Sequence, residues 1–177
     1  MGTTTDTFAT VEQMLERSQG EISPDTHPYL TRELRTATER IRNLCGWHVA
    51  PVKALTYRHG GPSRRSVWLP AMEIQSIDEV TVDGETVALS DVEFDPDTGW
   101  TNIRGCSVTV KYTAGFSEVP SPLETLTLEL AAVGLGTSLG FSRQQAGAVS
   151  VTYDRTGGAL TAESEAELAP YRVERLP

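Results

Sequence analysis

Long apolar runs are missing from this chain of 177 residues. None approaches the roughly 18 residues that a membrane-crossing helix needs. The first residues, Met1 to Asp6, are rich in threonine and place no basic region before an apolar one. No secretory signal is therefore expected, and the sequence reads as that of a soluble product made in the cytoplasm. Cysteine is scarce: Cys45 and Cys106 are the only two. Two thiols do not make a disulfide framework, and both are expected to be reduced. The three histidines, His27, His48 and His59, are not spaced as metal ligands, and neither H-E-x-x-H nor C-x-x-C occurs. The G-x-S-x-G elbow, the phosphate-binding loop and G-x-G-x-x-G are also absent. These absences point away from an enzyme, from a metal site and from any cofactor.

Charge of one sign is missing from two stretches. Residues 32–65 hold eight basic and two acidic residues, whereas 71–99 hold nine acidic and no basic ones. The net charge of −9 argues against wrapping a nucleic-acid backbone. The two blocks either face each other or water within one fold, or meet across copies of the chain, where complementary charge sets register and orientation. Arg64 and Arg65, on the Gly/Pro-bearing stretch His59 to Arg65, are candidates for the second arrangement. Alternating carboxylates at Asp91, Glu93, Asp95 and Asp97 invite a calcium reading. The loop pattern fails, because counting from Glu93 the sixth position is Thr98 and no glutamate closes the loop at the twelfth. On a strand, Asp91, Glu93 and Asp95 would share one face, with Val92 and Phe94 on the other.

Periodicity supplies the elements. Thr10 and Gln13 fit a capping box ahead of a short helix over 11–18. Leu30, Leu34, Ala37, Ile41 and Leu44 make a one-sided stripe over 28–45, with Arg32, Glu33, Arg35, Glu39, Arg40 and Arg42 opposite and Gly46 as the stop. Short strands follow, broken by Gly and Pro turns. Leu55 and Tyr57 lie in one, Val67 to Leu69 in another, and Ile74 to Val82 runs into Asp83-Gly84, a hairpin signal. Val108, Val110 and Tyr112 alternate in the last. These read as an antiparallel sheet. Ser121 as N-cap and Pro122 in the first turn open a helix over 122–139 whose only charge after Leu126 is Glu129. Such a helix is buried on more than one side. Its face Leu128, Ala132, Leu135 and Leu139 is the candidate subunit contact, since a second apolar face is otherwise left in water. Gly140 to Gly147 reads as a polar connector. Val149 to Tyr153 alternate, and Thr161 caps a last helix over 161–169. The fold class is α+β: a small helical bundle (helices near 11–18, 28–45, 122–139 and 161–169) with an antiparallel β region inserted near 52–113. Residues 1–9 are expected to be a flexible arm, 10–140 the core, and 141–177 an extended C-terminal arm.

In order, the helix over 28–45, LCGWHVAP, VTVDGETV, SVTVKYTAGFSEVP, the apolar helix, AVSVTY and LTAESEAELAPYR resemble the head–tail connector (adaptor) proteins of long-tailed bacteriophages, over roughly residues 8–172. The acidic segment 71–99 departs from that pattern. The resemblance implies a structural virion protein in the neck between capsid and tail, assembled in the host bacterial cytoplasm. It implies a ring of about twelve copies, because identical subunits close by rotation. It also implies docking under the portal protein, a head-closure or tail-completion protein below, and a channel through which DNA passes without sequence-specific contact. On that resemblance Leu168, Tyr171, Arg172, Arg175 and Leu176 would contact the portal. A head-closure or tail-terminator ring component, or a β-rich module that binds a host surface, are the other readings.

Overall fold

The computed structural model describes residues 6–136, 143–146, 149–152 and 162–173. The chain is α+β, and its residues fall into two compact units. One takes Met1–Ile41 and Pro120–Pro170, the other Arg42–Val119 and Tyr171–Pro177.

The first unit is helical. Helix α1, Val11–Arg17, is opened by the expected capping box: Gln13 N donates to Thr10 Oγ1, and Thr10 N donates to Gln13 Oε1 at 2.7 Å. Two otherwise unpaired backbone donors are thereby satisfied. Helix α2, Leu30–Cys45, starts two residues later than expected, so Pro28 precedes it. Helix α3, Ser121–Gly136, starts one residue early: the Pro120 carbonyl accepts from Leu123 N and Glu124 N, and Ser121 is the first helical residue, not the cap. Leu139 lies outside the described residues. Leu128 and Ala131 of α3, Leu30, Leu34 and Ala37 of α2, and Ala9 and Met14 form one buried cluster, with Val11, Ile22, Leu130, Ala132 and Leu135 packed on its fringe. Phe8 and Ala9, expected in a flexible arm, are buried, and Phe8 N donates to Thr38 Oγ1 at 3.0 Å. Helix α4, Ala162–Leu168, packs on α3 and buries Leu168. Its expected cap, Thr161, lies outside the described residues. Burial of each such leucine contributes about 1.5–3 kcal/mol.

The second unit is built on a four-stranded antiparallel sheet. Its strands are β1 (Lys53–Arg64), β2 (Ile74–Val82), β3 (Glu85–Val87) and β4 (Gly105–Ala114), in spatial order β1-β4-β2-β3. Asp83 and Gly84 both take positive φ, 51° and 92°, as a tight two-residue hairpin requires. Register places residues in rows across the sheet. Tyr57, Val110, Val80 and Val87 make one row, whose central pair is fully buried. Arg58, Thr109, Thr81 and Thr86 make the next, and it is polar from edge to edge. The alternation of two residues per strand repeat accounts for both.

Three stretches differ from the sequence reading. His59 to Arg64, expected as a loop, continues β1, because Gly60 pairs with Ser107 and Arg64 with Gly105 around a bulge. Residues 91–95 are not a continuous strand. A 3-10 turn at Leu89–Asp91 precedes a single bridge, Phe94 to Thr101, which joins a second bridge between Trp68 and Trp100. Part of the expected polar connector, Arg143–Ala146, pairs antiparallel with Val149–Thr152 as strands β5 and β6.

Candidate functional site

Among the described residues no group of three His, Cys, Asp or Glu side chains is placed to hold an ion. The best calcium candidate spends its carboxylate locally: Asp95 accepts from Asp97 N at 3.0 Å and Thr98 Oγ1 at 2.8 Å. Those bonds, the Thr98 hydroxyl first, hold its carboxyl below the usual range. Both cysteines are free thiols, Cys45 buried and Cys106 exposed. No helix among the described residues is long and apolar enough to cross a membrane. Three surfaces carry the residues singled out in the sequence.

The first is α3. Leu128, expected on an intersubunit face, is only 4% exposed because the chain's own α1, α2 and Ala9 cover it. Ala132 and Leu135 are half-buried at the edge of the same cluster. The apolar residue that α3 turns outward is Val133, 42% exposed. Sequence periodicity could not separate these faces, since part of the cover comes from α1 and the 8–9 segment, more than a hundred residues away in the chain.

The second surface surrounds the C-terminal segment. It is organised by a charge that the sequence reading placed on the solvent face. Arg42 is 8% exposed. Its guanidinium donates from Nε to His48 O at 2.9 Å and from Nη2 to Ala50 O at 2.7 Å. This holds the turn that follows α2, where Gly46 (φ 81°) ends the helix and Val49 takes φ 66°. Gly115 closes the same turn with φ 125°; a Cβ there would lie 2.7 Å from His48 Nε2 and 2.8 Å from Pro51 O. Phe116 N donates to Val49 O at 2.9 Å. Against this turn the chain end is tied at three points. Trp47 Nε1 donates to Tyr171 O at 2.7 Å, Val173 N donates to Cys45 O at 2.9 Å, and the Phe116 and Tyr171 rings meet edge-on. Tyr171 and Arg172 are thus fixed in the second unit as far as Val173. Leu168 is fully buried in the first unit, and Arg175 and Leu176 lie outside the described residues.

The titration of these groups carries a testable consequence. Burial pushes the Cys45 thiol up to about 11, against a smaller lowering by the Arg172 charge. Burial, aided by Tyr57, pushes the Tyr112 phenol up to about 12. Both groups stay protonated when folded, while in the unfolded chain they lose protons near 9 and 10. The folded state then binds more protons, so stability falls as pH rises from about 9 towards 12, by on the order of 2 kcal/mol per group. His48 acts at the other end. Burial first, and the Lys53 charge second, lower its pKa, so its contribution is full above 6.5 and is lost as pH falls below that through the lower folded pKa. Urea midpoints measured from pH 6 to 11 are expected to decline on the alkaline limb, and less steeply in Cys45→Ala. A flat limb between pH 8 and 11 would contradict the burial of both groups.

The third surface is the sheet, whose β1 end carries Arg64 and the exposed Arg65. On the polar face of the sheet, Lys111 Nζ pairs with Glu79 Oε2 at 2.8 Å, and Thr113 Oγ1 donates to Asp78 Oδ2 at 3.0 Å.

No protein family and no curated protein matches the chain. Solved structures share its fold, among them chains of two particle necks. One is a chain from the neck of a native GTA (gene transfer agent) particle computed with C12 symmetry, 15% identical, with a TM-score of 0.57 over 100% of this chain and 94% of that one. The other is from the neck of an empty GTA particle computed with C6 symmetry, also 15% identical, with a TM-score of 0.58 over 96% of this chain and 92% of that one.

Proposed function

We propose that the chain is a structural component of the neck of a phage-like particle, the head-to-tail adaptor that forms a ring under the portal. One observation carries the reading. The fold matches, over nearly the full length of both chains, subunits of particle necks computed with twelvefold and sixfold symmetry. Identity of 15% speaks for architecture and not for chemistry. An assembly role, however, resides in architecture: a subunit that packs head to tail needs a shape that closes by rotation, not a set of reacting atoms.

In this reading the chain is not an enzyme and needs no cofactor. Its partners are further copies of itself, the portal protein above, a head-closure or tail-completion protein below, and the genome passing through the ring. It would assemble in the host cytoplasm and end in the virion. Leu128 and Leu168 are covered by their own unit, so the half-buried Ala132 and Leu135 are the part of the expected face that a neighbour would complete. The portal contact falls on Tyr171 and Arg172 and on the Arg175 and Leu176 that follow them. The three ties at residues 171–173 support this, because a tethered tail reaches a partner at lower entropic cost than a free one.

Particle mass and negative-stain imaging across a concentration series test the proposal, with and without purified cognate portal. Rings of about twelve copies are expected, either alone or on the portal. A chain that stays monomeric at every concentration and does not bind the portal would overturn it.

A further inference from the structure

The two oppositely charged blocks of the sequence do not neutralise each other within the second unit. The strand order β1-β4-β2-β3 puts the parts of them that lie on the outer strands at opposite edges of one sheet, whereas Arg32, Arg35, Arg40 and Arg42 belong to α2, and Asp78 and Glu79 to the inner strand β2. The β1 edge carries Lys53 and Arg58, both exposed, with Arg65 just past its end. The β3 edge carries exposed Glu85, with Asp91 four residues past it. Three strand spacings of about 4.8 Å separate the edges by about 14 Å, beyond the roughly 8 Å over which exposed charges act at physiological salt. The central strands hold Asp78, Glu79 and Lys111, of which Lys111 and Glu79 pair. Among the described residues neither Arg58 nor Arg65 forms an ion pair with a carboxylate of 71–99. Charge therefore changes sign across the sheet, from the basic β1 edge to the acidic β3 edge.

An edge strand offers backbone groups for pairing with another chain. Each edge here also has an exposed apolar residue beside its charges. Val52, next to Lys53, is 36% exposed, and Leu89, two residues past β3, is 47% exposed. Apolar anchors ringed by charge are the composition of a contact that is specific as well as adhesive. Two different and complementary surfaces on opposite sides of one subunit make a heterologous contact, the kind that closes into a ring.

We infer that the two edges of the four-stranded sheet are the two halves of a head-to-tail contact between copies of this chain. The basic β1 edge of one copy takes the acidic β3 edge of the next. The inference rests on the ring reading above and names the surfaces that build the ring.

The test uses the full chain and two charge-reversed variants. Lys53→Glu with Arg58→Glu makes both edges acidic, and Glu85→Lys with Asp91→Lys makes both basic. All four positions are exposed, and circular dichroism checks that each variant folds. Assembly is read by mass photometry and sedimentation, on the portal if rings form only there. Each variant alone should associate about tenfold more weakly or worse than the wild type at low salt, with a smaller deficit at high salt. An equimolar mixture should recover rings in which the variants alternate, because every contact then again joins unlike edges. Wild-type rings with unaffected single variants, or with folded variants whose mixture is no better than either alone, would overturn the edge pairing and leave the ring reading standing. A wild type that forms no ring, alone or on the portal, would remove both.

Discussion

Arg42→Met is expected to lower the unfolding free energy by about 3–5 kcal/mol, because it removes a buried charge whose hydrogen-bond partners cannot turn to water. The guanidinium holds the His48 and Ala50 carbonyls at 2.9 and 2.7 Å, inside a turn where Val49 already has a positive φ. Charge-assisted bonds of this kind contribute about 1.5–3 kcal/mol each; His48 O keeps the Ala50 N–H at 2.9 Å, so the added desolvation cost falls on the Ala50 carbonyl. Methionine fills much of the volume, so the loss reports polar satisfaction more than packing. Urea unfolding with a constant m-value measures it. A change below about 1 kcal/mol would mean that water replaces the guanidinium, and that Arg42 does not organise the turn. The same variant should loosen residues 171–173, since Trp47 and Cys45 tie that segment from the same turn. Faster amide exchange at Val173 would show it, and weaker portal binding should accompany it.

Gly115→Ala is the second large effect, with an expected cost of about 2–4 kcal/mol. Its φ of 125° lies where residues with a Cβ are strained whatever the space around them. Here there is also no space: the added carbon would meet Pro51 O at 2.8 Å, Val49 O at 3.1 Å and His48 Nε2 at 2.7 Å. The imidazole can move; the two carbonyls belong to the turn that Arg42 grips. Arg42 and Gly115 thus act on one turn from two sides, so their losses should not add. A double variant that costs the full sum would show that the two sites are independent. Equilibrium unfolding of the three variants decides this.

Several elements were legible in the sequence because their signals are local. The capping box at Thr10 and Gln13, the glycine stop at Gly46 and the Asp83-Gly84 hairpin each need only a few neighbouring residues, and each stands where expected. The stripe Leu30, Leu34, Ala37, Ile41 and Leu44 needs only the helical period; the first four are buried and Leu44 is half-buried. The failures have a common cause of the opposite kind. His59 to Arg64 is polar and glycine-rich, yet it is extended because β4 lies alongside to pair with it. Arg42 follows the charged face of its helix in sequence, yet it is buried because the next turn folds back over it.

By itself, the sequence determined the α+β class, most helix and strand positions and the separation of charge into two blocks. All of these follow from spacing and composition along the chain. The tertiary structure decided which apolar face of the helix over 121–136 is covered, where the Arg42 charge is spent, and that Lys53 and Arg58 of one charge block and Glu85 of the other lie on opposite edges of one sheet. The physical reason is strand order. Blocks adjacent in sequence are parted in space when the last strand, Gly105–Ala114, inserts between the first and second, and no local pattern records that insertion.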